Sequence, residues 1–318
     1  MTTNAAMPGH LDILAAAARI ALYAQVTPVL RSSSLDALAR AQLFFKCENF
    51  QRAGAFKFRG ACNAVWSLSD EDAVRGVVTH SSGNHGAALA LAAKTRGIPA
   101  HVVVPEGAVK AKVAAIESAG GHVHSCAPTM AAREALCAQL QQAFDARLVH
   151  PYKDPLVIAG QGTAVLELLQ QSGGLDFVLA PVGGGGLIAG TALAVAAVSP
   201  GTVVLAVEPE GAADAYESLR RGQHVTDIVP ETLADGLRAT IGVDNLAVMQ
   251  AHAVAVLVVS EQEILSAMRL LWERMKTLVE PSSATVLAAV LRYPECFAGR
   301  RVGLVLTGGN VDLDARWW

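Results

Sequence analysis

Short runs rich in β-branched residues recur from end to end of the chain, among them "GVVTHSS", "AHVVVPE", "DFVLAPVGG", "TVVLAVEPE", "AVAVLVVS" and "RVGLVLTGG". "AQLFFKCE", "GHVHSCA" and "RLVHP" extend the pattern, and Ala/Leu-rich stretches such as "GAALALAAKTRG" and "AREALCAQLQQAF" lie between. A strand covered on both faces needs no polar alternation. Apolar runs separated by helical segments therefore specify an α/β fold of open parallel sheets with helices on either side. The first ten residues read as unstructured, and "LDILAAAARIAL" as a helix with an apolar stripe. No fixed-period repeat and no long Pro/Gly/Ser linker divides the chain. A second domain is expected as an insertion, with crossings near residues 70 and 150.

At 318 residues the chain can bury a large core. Apolar residues at 52% and charged ones at 17% argue against disorder. A net charge of −3 leaves no basic surface for a nucleic-acid partner. The longest uncharged apolar run, residues 187–198, falls well short of the ~20 residues a membrane span needs. No basic segment precedes an apolar core at the start, so no secretory signal is read. Cys47, Cys62, Cys126, Cys137 and Cys296 form no C-x-x-C pair, and a reduced, cytoplasmic chain is expected. His122, His124 and Cys126 alternate along one run, but no fourth ligand lies nearby and zinc is not expected.

In open parallel sheets, ligands sit beyond the carboxyl ends of strands. In "THSSGNHGAALALAAK", Ser81, Ser82 and Asn84 stand at a strand-to-helix turn, where they either seat a carboxylate or simply cap the helix. Gly183, Gly184, Gly185 and Gly186 follow the strand "DFVLAPV" and precede a helix. Four successive glycines exceed what a tight turn needs, and let backbone amides converge on a phosphate. No Gly-Lys-Ser/Thr follows, so this is not a Walker loop. Gly184, Gly186 and Ala189 also match G-x-G-x-x-A, with Glu208 ending the next strand at roughly the ~20-residue offset of a ribose-binding acid. An NAD-dependent oxidoreductase is the competing reading. It places the fingerprint halfway along the chain and leaves Lys57 without a purpose. Thr307 ends the last strand run and reads either as a hydroxyl donor or as a turn residue.

Lys57 lies between Phe56 and Phe58 in "AGAFKFRGA". Most lysines snorkel, with the stem on apolar surface and the head in water. A lysine kept among apolar neighbours instead has its pKa lowered, which leaves neutral amine available as a nucleophile.

Lys57 in "GAFKFRGA", "SSGNHG" at 81–86, "GGGG" at 183–186 and "TGGN" at 307–310 occur together in that order. The set resembles the fold-type II pyridoxal-phosphate (PLP) enzymes of the serine/threonine dehydratase and serine racemase group. The likeness runs from about Thr27 to Leu313, through "VIAGQGT", "EPEGAADAY" and "WERMKTLVEP". The stretch "ENFQRAGAFKFRGA" looks especially like serine racemases and 3-hydroxyaspartate dehydratases.

The resemblance implies a tryptophan-synthase-β-like fold of two open parallel-sheet domains. The large PLP-binding domain would comprise 1–70 and 150–318, the small one 71–149, with no C-terminal amino-acid-sensing domain. It implies that Lys57 carries PLP and acts as base, with Ser82 on the opposite face as a proton donor. Phe56 would cover the ring, Asn84 would bond its 3-hydroxyl, and Gly183 to Gly186 with Leu187 would hold the phosphate. Thr307 would face the pyridine nitrogen as a neutral hydroxyl, a weaker electron sink that suits β-elimination over transamination. Ser81, Ser82, Asn84, His85 and Arg133 would bind a small amino-acid substrate, and Arg133 suits a second carboxylate. A magnesium, calcium or manganese ion would sit on Glu208, Asp214 and the Ala212 carbonyl, a donor set proper to a hard cation. A homodimer is also implied. Expected, then, is dehydration of L-serine, L-threonine or 3-hydroxyaspartate to a 2-keto acid and ammonia, with racemisation of serine or aspartate as the alternative. β-Replacement, as in cysteine synthases, ranks lower because those enzymes usually carry Ser-Gly-Asn-Thr where this chain has Ser-Gly-Asn-His. Departures from many racemases at Gly54-Ala55, Tyr152 and Ala239 bear on pocket polarity.

Overall fold

Valine, leucine and phenylalanine runs become strands wherever a following glycine or polar turn lets the chain swing back along the sheet. The computed structural model describes residues 6–318. The reading of the first ten residues as unstructured falls partly on 1–5, outside the described residues, and a helix begins at His10–Ile20. The strands are β1 (Val29–Leu30), β2 (Gln42–Cys47), β3 (Val77–His80), β4 (Ala100–Pro105) and β5 (His122–Cys126). They continue with β6 (Arg147–Leu148), β7 (Phe177–Pro181), β8 (Val203–Pro209), β9 (Ala255–Val259) and β10 (Arg301–Leu306). Among the described residues, no helix is long and apolar enough to cross a membrane.

The chain divides into two compact units. One holds the residues up to Gln25 and Lys57–Gly160, the other Val26–Phe56 and Gln161–Trp318. The crossings were expected near 70 and 150; these divisions follow Gln25, Phe56 and Gly160. The last of them falls within one continuous helix, Pro155–Ser172, and composition gives no sign of a division there.

The first unit is built on a four-stranded parallel sheet in the order β5-β4-β3-β6. β3 is buried along its whole length. Val78, Val103 and Ala146 pack there with Cys137 and Leu140 of the helix Met130–Phe144. Within this unit a Cβ on Gly160 would lie 2.6 Å from the Gly60 Cα and 2.7 Å from the Arg59 carbonyl oxygen. Two helices meet there backbone to backbone, which only glycine permits. Gly160→Val is expected to cost at least about 1–3 kcal/mol of stability, read as a lower urea midpoint.

The second unit carries a six-stranded sheet in the order β1-β2-β10-β7-β8-β9. All its pairings are parallel except β1 with β2. Leu43, Phe45, Leu179, Val207 and Leu304 line its core with Leu287 and Val290 of the helix Pro281–Arg292. Lys46 is fully buried in this unit, and its ammonium is met by Glu167 at 2.6 Å, Gln171 at 2.9 Å and the Thr27 carbonyl at 2.8 Å. A buried charge with all its protons engaged is tolerable; one left unpaired is not.

Candidate active site

The serine loop, the glycine loop and Thr307 each follow the carboxyl end of a parallel strand in their own unit, the position at which such sheets bind ligands. In the first unit, Lys57 opens the helix Lys57–Trp66. Arg59 is fully buried and donates to the Gln25 carbonyl at 3.3 Å, so this neighbouring cation is a structural one. Lys57 is half-buried, and its Nζ donates to the Pro151 carbonyl oxygen at 3.2 Å.

β3 ends at His80, and residues 81–83 bend the chain into the helix Asn84–Arg96. Ser81 Oγ accepts from the Gly83 amide at 3.4 Å. A Cβ on Gly86 would lie 2.2 Å from the Ser81 carbonyl oxygen, so the helix closes onto the strand end only with glycine there. Ser81, Ser82 and Asn84 are half-buried, whereas His85 is buried. The His85 Nε2 meets the Val149 carbonyl at 3.3 Å, and its Nδ1 is buried without a partner. Burial first, and the nearby Lys57 charge second, push His85 well below the ordinary imidazole range. Arg133 projects from the helix Met130–Phe144, half-buried, with its Nε enclosed and unpartnered. Burial lowers the pKa of His80, which also feels Glu134 and Arg133. Lys57, the serine loop and Arg133 thus share one electrostatic neighbourhood, joined through His80 and His85.

In the second unit, β7 runs into Gly183–Gly185 and then the helix Gly186–Val198. Gly185 has φ +89°, and a Cβ there would lie 2.7 Å from the Asn245 Cβ. The Gly184 carbonyl accepts from the Gly242 amide at 3.1 Å and from Asn245 Nδ2 at 2.7 Å. The loop is therefore fixed before any ligand arrives. The first amides of the following helix lack intrahelical acceptors, so the cradle suits a phosphate. Leu187 is buried in that first turn.

Thr307 follows β10 and is buried. Its carbonyl accepts from the Phe56 amide at 2.9 Å, and its Oγ1 lies 3.0 Å from Ser283 Oγ. Gly54 has φ +68°, and a Cβ on it would lie 2.3 Å from Asn310 Oδ1. Asn310 Nδ2 donates to the Ala53 carbonyl at 2.8 Å, and the Gly309 amide to that of Gly54 at 3.0 Å. The two motifs are stitched together across 257 residues of sequence.

Glu208 is fully buried at the end of β8 and accepts from the Ala215 amide at 3.0 Å and the Tyr216 amide at 2.8 Å. Asp214 accepts from the Ile241 amide at 2.8 Å, and Ala212 is buried just before it. Burial, reinforced by the Asp214 charge, raises Glu208 to about 8, and burial likewise raises Asp214. Glu208 keeps lone pairs beyond its two amide bonds, and with the Asp214 charge beside it the enclosed pair suits a hard cation better than a ribose hydroxyl.

Sequence reasoning missed Asn245, Ser283 and His150. The first two lie on helices, Val243–Ala251 and Pro281–Arg292, whose local pattern reads only as packing.

The chain matches the family model "Pyridoxal-phosphate dependent enzyme" over residues 20–308. It is 48% identical over 312 residues to a beta-hydroxyaspartate dehydratase of Paracoccus denitrificans, spanning 98% of this chain and 99% of that protein. It is 44% identical to an L-threo-3-hydroxyaspartate ammonia-lyase of Saccharomyces cerevisiae, over 96% of this chain and 94% of the relative. The maize serine racemase structure superposes with a TM-score of 0.95 at 44% identity, covering 97% of this chain and 95% of that one. Lysine, glycine bed and strand-end hydroxyl therefore occur in a chain that belongs to the pyridoxal-phosphate-dependent enzymes.

Proposed function

We propose that this enzyme eliminates water from a small β-hydroxy amino acid, 3-hydroxyaspartate ahead of L-serine and L-threonine, giving a 2-keto acid and ammonia. The observation that carries the substrate order is the enclosed, unpartnered Nε of Arg133 in the same unit as Lys57 and the serine loop. A guanidinium face in that state suits a second substrate carboxylate. Racemisation at the α-carbon is the second activity, with Ser82 as the proton donor opposite Lys57.

PLP, when bound, supplies the electron sink for the α-carbon. Gly183 to Gly186 and Leu187 hold its phosphate, Phe56 covers its ring, and Asn84 and Thr307 meet its polar edge. Ser81, Ser82, Asn84 and the backbone amide of His85 seat the substrate's α-carboxylate. The Lys57 Nζ, once released, takes the α-proton as general base. Glu208, Asp214 and the Ala212 carbonyl hold a divalent cation. The raised pKa of both acids supports this, because a cation removes the repulsion between enclosed carboxylates. A homodimer in the cytoplasm, where the free cysteines stay reduced, completes the proposal.

Incubation with L-serine, L-threonine and both 3-hydroxyaspartate diastereomers tests it, with keto acid and enantiomer ratio as readouts. Arg133→Ala is expected to lower kcat/KM on 3-hydroxyaspartate about tenfold or more and on serine less than about threefold. Equal losses on both would remove Arg133 from substrate selection.

A further inference from the structure

We propose that His150 is a positioning residue for Lys57, acting through the turn whose carbonyl receives the lysine amine. The inference rests on the role given to Lys57 above. The Pro151 carbonyl that Lys57 meets at 3.2 Å belongs to a turn between β6 and the helix Pro155–Ser172. The turn is not held by a regular ladder. It is shaped by the His150 ring, whose Nδ1 accepts from the Tyr152 amide at 3.3 Å and the Lys153 amide at 3.1 Å. A side chain accepting from the amides two and three residues ahead is the role that Asn and Asp play in Asx turns.

Those two bonds fix the chemical state of the ring. A ring nitrogen accepts only when it carries no proton, so His150 is neutral with its proton on Nε2. Its surroundings keep it so. His80 meets the ring edge-on at 5.1 Å and Tyr152 at 4.6 Å. The charged and titratable groups that bear on it include His80, His85, Lys153 and Lys57. Burial, aided by His80, Lys153 and Lys57, lowers His150 to about 3. The preceding residue is tied as well, since the Val149 carbonyl is engaged by His85 Nε2 at 3.3 Å. A carbonyl can only accept, so His85 carries a proton on Nε2, and burial keeps the ring neutral. Two neutral imidazoles therefore clamp the backbone on either side of the bond leading to Pro151. The carbonyl between them gives the Lys57 amine a fixed acceptor from which it can reach the reacting carbon and to which it can return.

Two variants of the full-length enzyme test this. His150→Leu removes the acceptor and is expected to lower kcat about 10–100-fold with KM changed less than about threefold. It is also expected to slow re-attachment of PLP after the cofactor has been stripped, followed by recovery of visible absorbance, about tenfold or more. His150→Asn keeps an oxygen where Nδ1 stood, and is expected to return both rates to within about threefold of the parent. A leucine variant with unchanged kcat and re-attachment would overturn the proposal. So would an asparagine variant as impaired as the leucine one, because the imidazole itself would then be the working group. If the leucine variant does not fold, recovery of both rates in the asparagine variant supports the proposal and their loss overturns it. The role of Lys57 is tested separately by its own substitution.

Discussion

Lys57→Ala is expected to abolish both turnover and covalent cofactor attachment, with kcat reduced about 10³-fold or more. The size of the effect follows from two functions residing in one nitrogen. In the proposed reaction that amine would link to PLP and would also be the base that takes the α-proton. Losing a positioned base alone is worth 10²–10⁴-fold in general. The fold should tolerate the change. Lys57 is half-buried at the start of its helix, while the apolar contacts around it come from Phe58 and the surrounding buried residues. Alanine is a good helix former, so the thermal midpoint of the cofactor-free protein should stay near that of the cofactor-free parent. Absorbance of the purified variant and keto-acid formation from 3-hydroxyaspartate are the measurements. Retained colour together with retained turnover would fit no version of the proposed chemistry.

Removing divalent cations with a chelator is expected to lower the thermal midpoint, with a loss that grows as pH rises from about 5 to about 8. Glu208 is raised from 4.5 to about 8 in the folded chain. Below pH 4.5 the group is protonated folded or unfolded, and contributes nothing. Between 4.5 and 8 the unfolded chain releases that proton while the folded one keeps it, so stability falls by up to about 1.4 kcal/mol per pH unit. Above 8 both forms are ionised and the loss levels off. Asp214, raised by the same burial, acts in the same direction. A bound cation stabilises the ionised pair and cancels this loss, so adding magnesium or calcium should raise the midpoint strongly at pH 8 and little at pH 5. Glu208→Gln should abolish the cation response. A cation effect independent of pH would place the ion elsewhere.

The central strands were legible because they are buried along nearly their whole length and so read as unbroken apolar runs. "GVVTHSS", "DFVLAPV" and "RVGLVLT" lie where β3, β7 and β10 form. β1 was not legible, since a strand of two residues has no period to detect and pairs antiparallel at the sheet's margin. Glu208 was visible as an acid closing a strand. Its burial was not visible, because that depends on amides from Ala215 and Tyr216 folding back over it. His150 was illegible for a different reason: histidine is not a signature turn former, and its two backbone bonds follow from local geometry that composition does not encode. Asn245 reaches the glycine loop from 61 residues away, a distance over which a single sequence carries no local signal.

The last strand in sequence lies inside the six-stranded sheet, between β2 and β7. During synthesis on the ribosome, everything up to residue 300 therefore emerges with a slot where the sheet's interior should be, and two apolar strand edges face the solvent. Pairing across that slot must wait for Arg301–Leu306, and the seam joining 53–56 to 307–310 closes later still. Nascent chains stalled before residue 301 should be inactive and should bind chaperones, and catalytic competence should arrive abruptly once residues 301–310 are free to pair.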